Sequence, residues 1–231
     1  MGDFMDFFDL HCDTLTECMD DGDSLLKNER DIDFERGSIF GRWNQVFAVF
    51  VPDSMDDSLV EGYFDSACDF YFDELKKKGD VFPILSSEDV RGHSRGVMLA
   101  MESSRGVGSL ERLEKLYERG LRLITLTWNH KNRAAGGCDE GGGLTDWGRE
   151  LVSKMEKLGI VTDVSHLSDR SFYDLCEFSD APFIASHSDA RAVHNEVRSL
   201  TDEQIKIIIE RGGLIGLNFY DRFLGGNGGR E

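Results

Sequence analysis

The sequence predicts a parallel α/β fold whose closed form is the (β/α)8 barrel. Three observations carry this. Short apolar, β-rich runs alternate with segments of helical periodicity, the order that builds a parallel sheet covered by helices. The runs are apolar on both faces, as strands packed under helices on either side must be. The side chains best suited to metal or acid–base chemistry stand at or just past the ends of those runs, and barrel enzymes keep their active sites at the C-terminal ends of the strands. Such barrels run to about 250 residues, whereas this chain has 231. Seven strands are expected rather than eight, so the chain reads as one incomplete barrel domain over residues 1–231.

Each expected element has a local reason. Residues 6–11 form the first strand and 43–51 (WNQVFAVFV) the second. An amphipathic helix follows over 58–78, with Leu59, Tyr63, Ala67, Phe70 and Leu75 on its apolar side, and Gly79 stops it. Residues 96–101 (GVMLAM) make the third strand and deliver Glu102; a helix over 110–119 is closed by Gly120. The fourth strand is 121–127, and the glycine-rich run 136–143 is a loop before a helix over 145–158, capped by Thr145 and ended by Gly159. Residues 160–164 form the fifth strand, leading into Ser165 and His166; Ser168 caps a helix through Glu177. The sixth strand, 182–185, leads into Ser186 and His187. Thr201 and Gln204 have capping-box spacing ahead of the next helix, and 213–219 (GLIGLNF) is the seventh strand.

Composition narrows the partners. With 44 acidic against 26 basic residues the net charge is −18, which opposes binding to nucleic acid or to an anionic membrane. No window approaches the ~18 uninterrupted apolar residues of a membrane span, and no basic, then apolar, leader opens the chain. The five cysteines are odd in number, scattered and without CxxC spacing, as suits a reduced compartment. The expectation is a soluble cytoplasmic protein. Cys12, between His11 and Asp13, should point away from both along a strand and pack as a core thiol.

Five residues form the candidate centre: His11, Asp13, Glu102, His166 and His187. Alone, a histidine at a strand end is more often a hydrogen-bonded structural residue than a ligand. Three at one structural level, joined by an aspartate and a glutamate, reverse that balance. In a strand the spacing of two puts His11 and Asp13 on one face, roughly 6.5 to 7 Å apart along it, where they can share one ion. Imidazole and carboxylate suit Zn²⁺ in an open catalytic site. If Glu102 bridges, two ions follow, one with His11 and Asp13 and the other with His166 and His187. Paired ions roughly 3.5 to 4 Å apart can hold a bridging hydroxide as nucleophile and polarise a scissile carbonyl. His93 reads as an exposed turn residue. His130 is either a substrate contact or plain loop, and His194 lies in a polar loop. Arg198, nearby, is either a bidentate partner for a substrate carboxylate or a surface ion pair.

At these residues the chain resembles the membrane dipeptidase (renal dipeptidase) family of zinc peptidases. The likeness rests on Asp9-Leu10-His11-Cys12-Asp13-Thr14, Met101-Glu102, Leu123-Ile124-Thr125-Leu126-Thr127-Trp128-Asn129, Thr162-Asp163-Val164-Ser165-His166, Ala185-Ser186-His187-Ser188 and Leu217-Asn218-Phe219-Tyr220, in the family's order. It runs from the N-terminus to about Tyr220. The resemblance implies an amidohydrolase-type metal-dependent barrel, two zinc ions bridged by Glu102, and hydrolysis of dipeptides with tolerance of D-residues at the C-terminal position. It also implies that Arg198 binds the substrate carboxylate and places Trp128 and Tyr220 at the substrate.

Two departures from the family pattern stand out. Trp128 occupies the position of a substrate-contacting histidine, for which His130 is the nearby substitute. No Gly-x-Asp-Phe-Asp-Gly-like segment follows residue 219, so the eighth strand, the closing helices and the proton-handling aspartate are expected to be missing, with loss of a factor of roughly 10²–10⁴ in rate. The open sheet edges left behind would invite pairing with another copy. The competing readings are another amidohydrolase, of phosphotriesterase or deoxyribonuclease type, and an inactive metal-binding fragment that needs a partner chain.

Overall fold

The computed structural model describes residues 5–226; residues 1–4 and 227–231, the ends of the expected domain span, lie outside the described residues. Contacts divide the chain into two compact units, Met1–Glu102 with Gly106–Leu123, and Ser103–Arg105 with Ile124–Glu231.

The first unit holds β1 (Phe7–Asp9), α1 (Thr14–Asp21), β2 (Trp43–Phe50), α2 (Asp57–Lys77), β3 (Phe82–Pro83), α3 (Asp89–Gly92), β4 (Arg95–Glu102), α4 (Leu110–Glu118) and the start of β5 (Leu121–Thr125). Its strands run in the order β1-β2-β4-β5, with β3 pairing to β4. β1, β2 and β4 are parallel, and β2 matches β4 residue for residue from Trp43↔Arg95 to Phe50↔Glu102. All of β2 but Phe50 is buried, which is why residues 46–50 are apolar without alternation; Asn44 and Gln45 are buried polar residues at its start. Phe47 and Phe34 are fully buried, their rings edge to face at 6.1 Å. The sheet's helical cover is explicit at Tyr71 of α2, whose hydroxyl donates to the Val97 carbonyl of β4 at 2.9 Å. Gly96 is required in β4, because a Cβ there would sit 2.4 Å from Asn44 Oδ1 and 2.8 Å from Ile84.

The second unit holds the end of β5, α5 (Asp146–Leu158), β6 (Val161–Asp163), α6 (Asp169–Phe178) and α7 (Asp202–Glu210), with β6 beside β5. The expected caps are in place. Thr145 accepts from Gly148 N, Ser168 from Ser171 N, and Thr201 with Gln204 closes a full capping box on α7. Gly159 ends α5 in the left-handed conformation at φ +80°.

Three local expectations are corrected. The sixth and seventh strands are reduced to single parallel bridges, Asp163↔Ile184 and Ala185↔Ile215. The ladder stops because side chains capture the next donors: Ser186 N donates to Asp163 Oδ1 at 2.9 Å and Asn218 N to Asp189 Oδ1 at 3.2 Å. β1 ends at Asp9, so His11 and Asp13 do not share a strand face; Asp13 is the N-cap of α1, a helix the periodicity did not announce. Cys12 is accordingly half-buried rather than a core thiol.

Candidate metal centre

In the first unit, backbone pairing continues past β1 without regular strand geometry. Cys12 N donates to Val46 O at 3.1 Å and Cys12 O accepts from Ala48 N at 2.9 Å. Holding Cys12 to β2 in this way fixes its neighbours on either side. Asp13 makes no side-chain cap bond on α1, and its Oδ1 lies 3.4 Å from His11 Nε2. Glu102, the last residue of β4 and 2% exposed, brings Oε2 to 3.2 Å from the same nitrogen. Its place is set by the register with Phe50 and by Val51 N donating to its carbonyl at 2.7 Å. Burial of His11 opposes its charge, yet the carboxylates of Glu102 and Asp13 outweigh burial and hold its pKa well above the ordinary value. Two carboxylates around one imidazole thus form a pocket that demands positive charge.

The second unit builds a histidine pair. His166 follows β6 in the left-handed region at φ +68°, the one non-glycine residue with positive φ among those described, a strain that persists only where surroundings impose it. The surroundings here are two donors on its carbonyl, Cys138 N at 2.8 Å and Thr127 Oγ1 at 3.2 Å. Gly137, beside Cys138, admits no side chain, since a Cβ would sit 2.4 Å from the Asn129 carbonyl oxygen. His166 Nδ1 lies 2.7 Å from Asn129 Oδ1. An amide oxygen only accepts, so Nδ1 carries the proton and Nε2 a lone pair. His187 Nδ1 lies 2.7 Å from Ser186 Oγ, which itself donates to Asp163 Oδ2 at 2.6 Å. With the serine proton on the carboxylate, His187 Nδ1 is the donor to Ser186 Oγ, and its Nε2 is again the lone pair. These two Nε2 atoms face each other at 2.9 Å. Two lone pairs so placed repel unless a cation or a proton lies with them, and ligand imidazoles characteristically donate their other nitrogen to an outer partner. The donor sets of both units therefore fit a zinc-class ion.

The other expected residues divide. Arg198 is not a surface ion pair: it is 7% exposed, with Nη1 donating to Ser188 Oγ and Nη2 to the His187 carbonyl, each at 2.8 Å. Trp128 is half-buried, its ring centroid 6.2 Å from that of His166. His130 is exposed in a bend. Tyr220 is 52% exposed and packs edge to face on Phe223 at 5.1 Å. Sequence reasoning missed Asn129, Asp163 and Ser186 as partners of the histidines. Asp163 and Ser186 did carry a signal, as polar residues closing or following apolar runs just ahead of His166 and His187.

A model of the membrane dipeptidase family (peptidase family M19) matches residues 3–229. An uncharacterized protein in the pqqA 5′ region of Klebsiella pneumoniae is 33% identical over 160 residues, 64% of this chain and 59% of its own length. Among solved structures, dipeptidase AC, a metallopeptidase of family M19, matches with a TM-score of 0.88 at 26% identity, over 99% of this chain and 76% of that one. A metallopeptidase from Rhodobacter sphaeroides, liganded with a phosphinate mimic of the dipeptide L-Ala-D-Ala, matches in fold with a TM-score of 0.85 at 24% identity, over 96% and 76% of the two chains. The fold class is therefore the α/β, TIM-barrel-like fold of these dipeptidases. The chain spans 59% and 49% of the length of the first two curated relatives it matches. No helix among the described residues is long and apolar enough to cross a membrane.

Proposed function

The chain belongs to the membrane dipeptidase family, and from that premise we propose that it is a metallo-dipeptidase with a binuclear zinc centre. His11 and Asp13 hold one ion, His166 and His187 the other, and Glu102 bridges them. The observation that carries this reading is the pair of imidazoles whose Nδ1 atoms are both committed as donors while their Nε2 lone pairs face each other at 2.9 Å. With both protons on the far side, two neutral imidazoles turn their Nε2 atoms toward one position, which is what supports a cation there.

Zinc held there supplies Lewis acidity and activates water toward a peptide carbonyl. The chain's own residues do the rest. Glu102 places a buried carboxyl group at the end of β4. Arg198, its guanidinium fixed by Ser188 and the His187 carbonyl, pairs with the substrate's terminal carboxylate, which selects short substrates with a free C-terminus. Trp128 and Tyr220 flank the dipeptide, and His130 reaches it from the exposed bend. Because the carboxylate and the peptide carbonyl are the recognised groups, either hand is tolerated at the C-terminal residue. The five cysteines suit a cytoplasmic home, and pairing between copies is part of the same proposal.

The test is metal analysis of the purified protein alongside assays with L-Xaa-L-Xaa and L-Xaa-D-Xaa dipeptides. Two zinc ions per chain with dipeptide turnover is the expected result. Metal with preference for a phosphoester or another amide, or metal without any turnover, would overturn it.

A further inference from the structure

We propose that Asp163 is a positioning residue for the metal centre, fixing the two segments that carry His166 and His187 and, through Ser186, the proton on His187 Nδ1. The inference rests on the reading of these histidines as ligands. Asp163 ends β6 and is fully buried. Its Oδ1 accepts from Ser165 N at 3.0 Å and from Ser186 N at 2.9 Å. These are the backbone groups immediately before His166 and His187, so one carboxylate oxygen ties together two ligands 21 residues apart in the chain. Its Oδ2 accepts from Thr125 Oγ1 at 2.7 Å and from Ser186 Oγ at 2.6 Å.

The direction of the proton chain follows from this set. Two backbone N–H groups can only donate, so the carboxyl group is an acceptor on that side, and ionised it accepts all four bonds. The single hydroxyl proton of Ser186 then points at Oδ2, and Ser186 Oγ offers its lone pair to His187 Nδ1. Reversing the chain would place the proton on Nε2 and remove His187 as a ligand. Asp163 thus acts on the centre at one remove, without touching a metal.

The experiment compares Ser186→Ala, Ser186→Thr and Asp163→Asn with the parent, in three measurements. Imidazole ¹⁵N shifts of the metal-free protein read the tautomers, competition with a chromophoric chelator reads zinc affinity, and a thermal melt of the metal-free protein reads the fold. The parent should carry a proton on Nδ1 of both His166 and His187, with one proton at most shared between their Nε2 atoms. Ser186→Ala should move His187 alone toward Nε2–H and weaken zinc by roughly 10- to 100-fold, with the metal-free melt little changed; Ser186→Thr should restore both. Asp163→Asn, whose amide can donate to Ser186 and reverse the chain, should do at least as much. A parent His187 without a proton on Nδ1, or a Ser186→Ala protein with unaltered tautomer and zinc affinity, would overturn the proposal. His187→Ala separates the two readings. If it leaves zinc affinity unchanged, the ligand assignment fails; if it loses zinc while Ser186→Ala does not, only the positioning role fails.

Discussion

Replacing Arg198 by lysine tests the centre's substrate side and its internal support together. The guanidinium spans two acceptors, Ser188 Oγ and the His187 carbonyl, at 2.8 Å each, with the residue 7% exposed. A lysine ammonium is a point charge on a flexible stem and cannot serve both acceptors in the planar fork that arginine presents. One charge-assisted hydrogen bond is then lost, worth about 1.5–3 kcal/mol. For a chain of this size each kcal/mol moves the melting temperature by roughly 2–4 °C, so the drop should be roughly 3–12 °C. If the same fork pairs with the substrate carboxylate, a comparable loss appears in binding, and KM for a dipeptide rises roughly 10- to 150-fold with a smaller change in kcat. The assays are a thermal melt of metal-free and zinc-loaded protein and steady-state kinetics across dipeptide concentration. A melt within about 1 °C of the parent would refute the buried fork. A lowered melt with unchanged KM would leave Arg198 a structural buttress of His187 and remove it from the substrate.

Further outcomes follow from other residues. Glu102→Gln should reduce bound zinc to one ion or fewer and abolish dipeptide turnover; zinc content equal to the parent's, measured by elemental analysis, would refute the bridging role. Thr201→Ala removes the acceptor of the capping box on α7 and should cost about 1 kcal/mol in a urea melt, whereas Thr201→Ser should cost little; equal loss in both would show that the cap does not matter. At Asp33, burial raises the carboxyl pKa, but the Arg36 side chain, Arg36 N and Asn28 N outweigh it and hold the group below its ordinary 3.8. A carboxylate with a depressed folded pKa stabilises above its unfolded pKa, and that stability is lost as pH falls through the lower folded value. The urea midpoint should therefore fall below about pH 4, and Asp33→Asn should be weaker at neutral pH with a shallower acid limb; an identical acid limb would refute the assignment.

The strands that position the first half of the centre were legible because burial on both faces writes itself as continuous apolar sequence, as in residues 46–50 and 97–101. Helix ends were legible for a local reason: Thr145, Ser168, Thr201 and Gly159 act within a turn of their own position. The expected strands at 182–185 and 213–219 were apolar enough, yet they pair only through the isolated bridges Asp163↔Ile184 and Ala185↔Ile215. Side-chain acceptors from Asp163 and Asp189 take the next backbone donors, and no periodicity within either run records a competitor located elsewhere in the chain. The convergence of His11 with Asp13 was foreseen from strand alternation, but it arises from a helix N-cap and from Cys12 pairing on both sides with β2.

By itself the sequence determined the α/β class, the set of imidazole and carboxylate donors, and the family likeness, because each is a matter of residue type and order along the chain. Only the tertiary structure decided what those donors face. His166 is forced into a left-handed conformation by Cys138 and Thr127. Arg198 is buried in a fork of two acceptors. The Nδ1 atoms of His166 and His187 meet Asn129 and the Ser186–Asp163 pair. A tautomer is set by hydrogen bonds between groups tens of residues apart, and those exist only once the chain has folded around them.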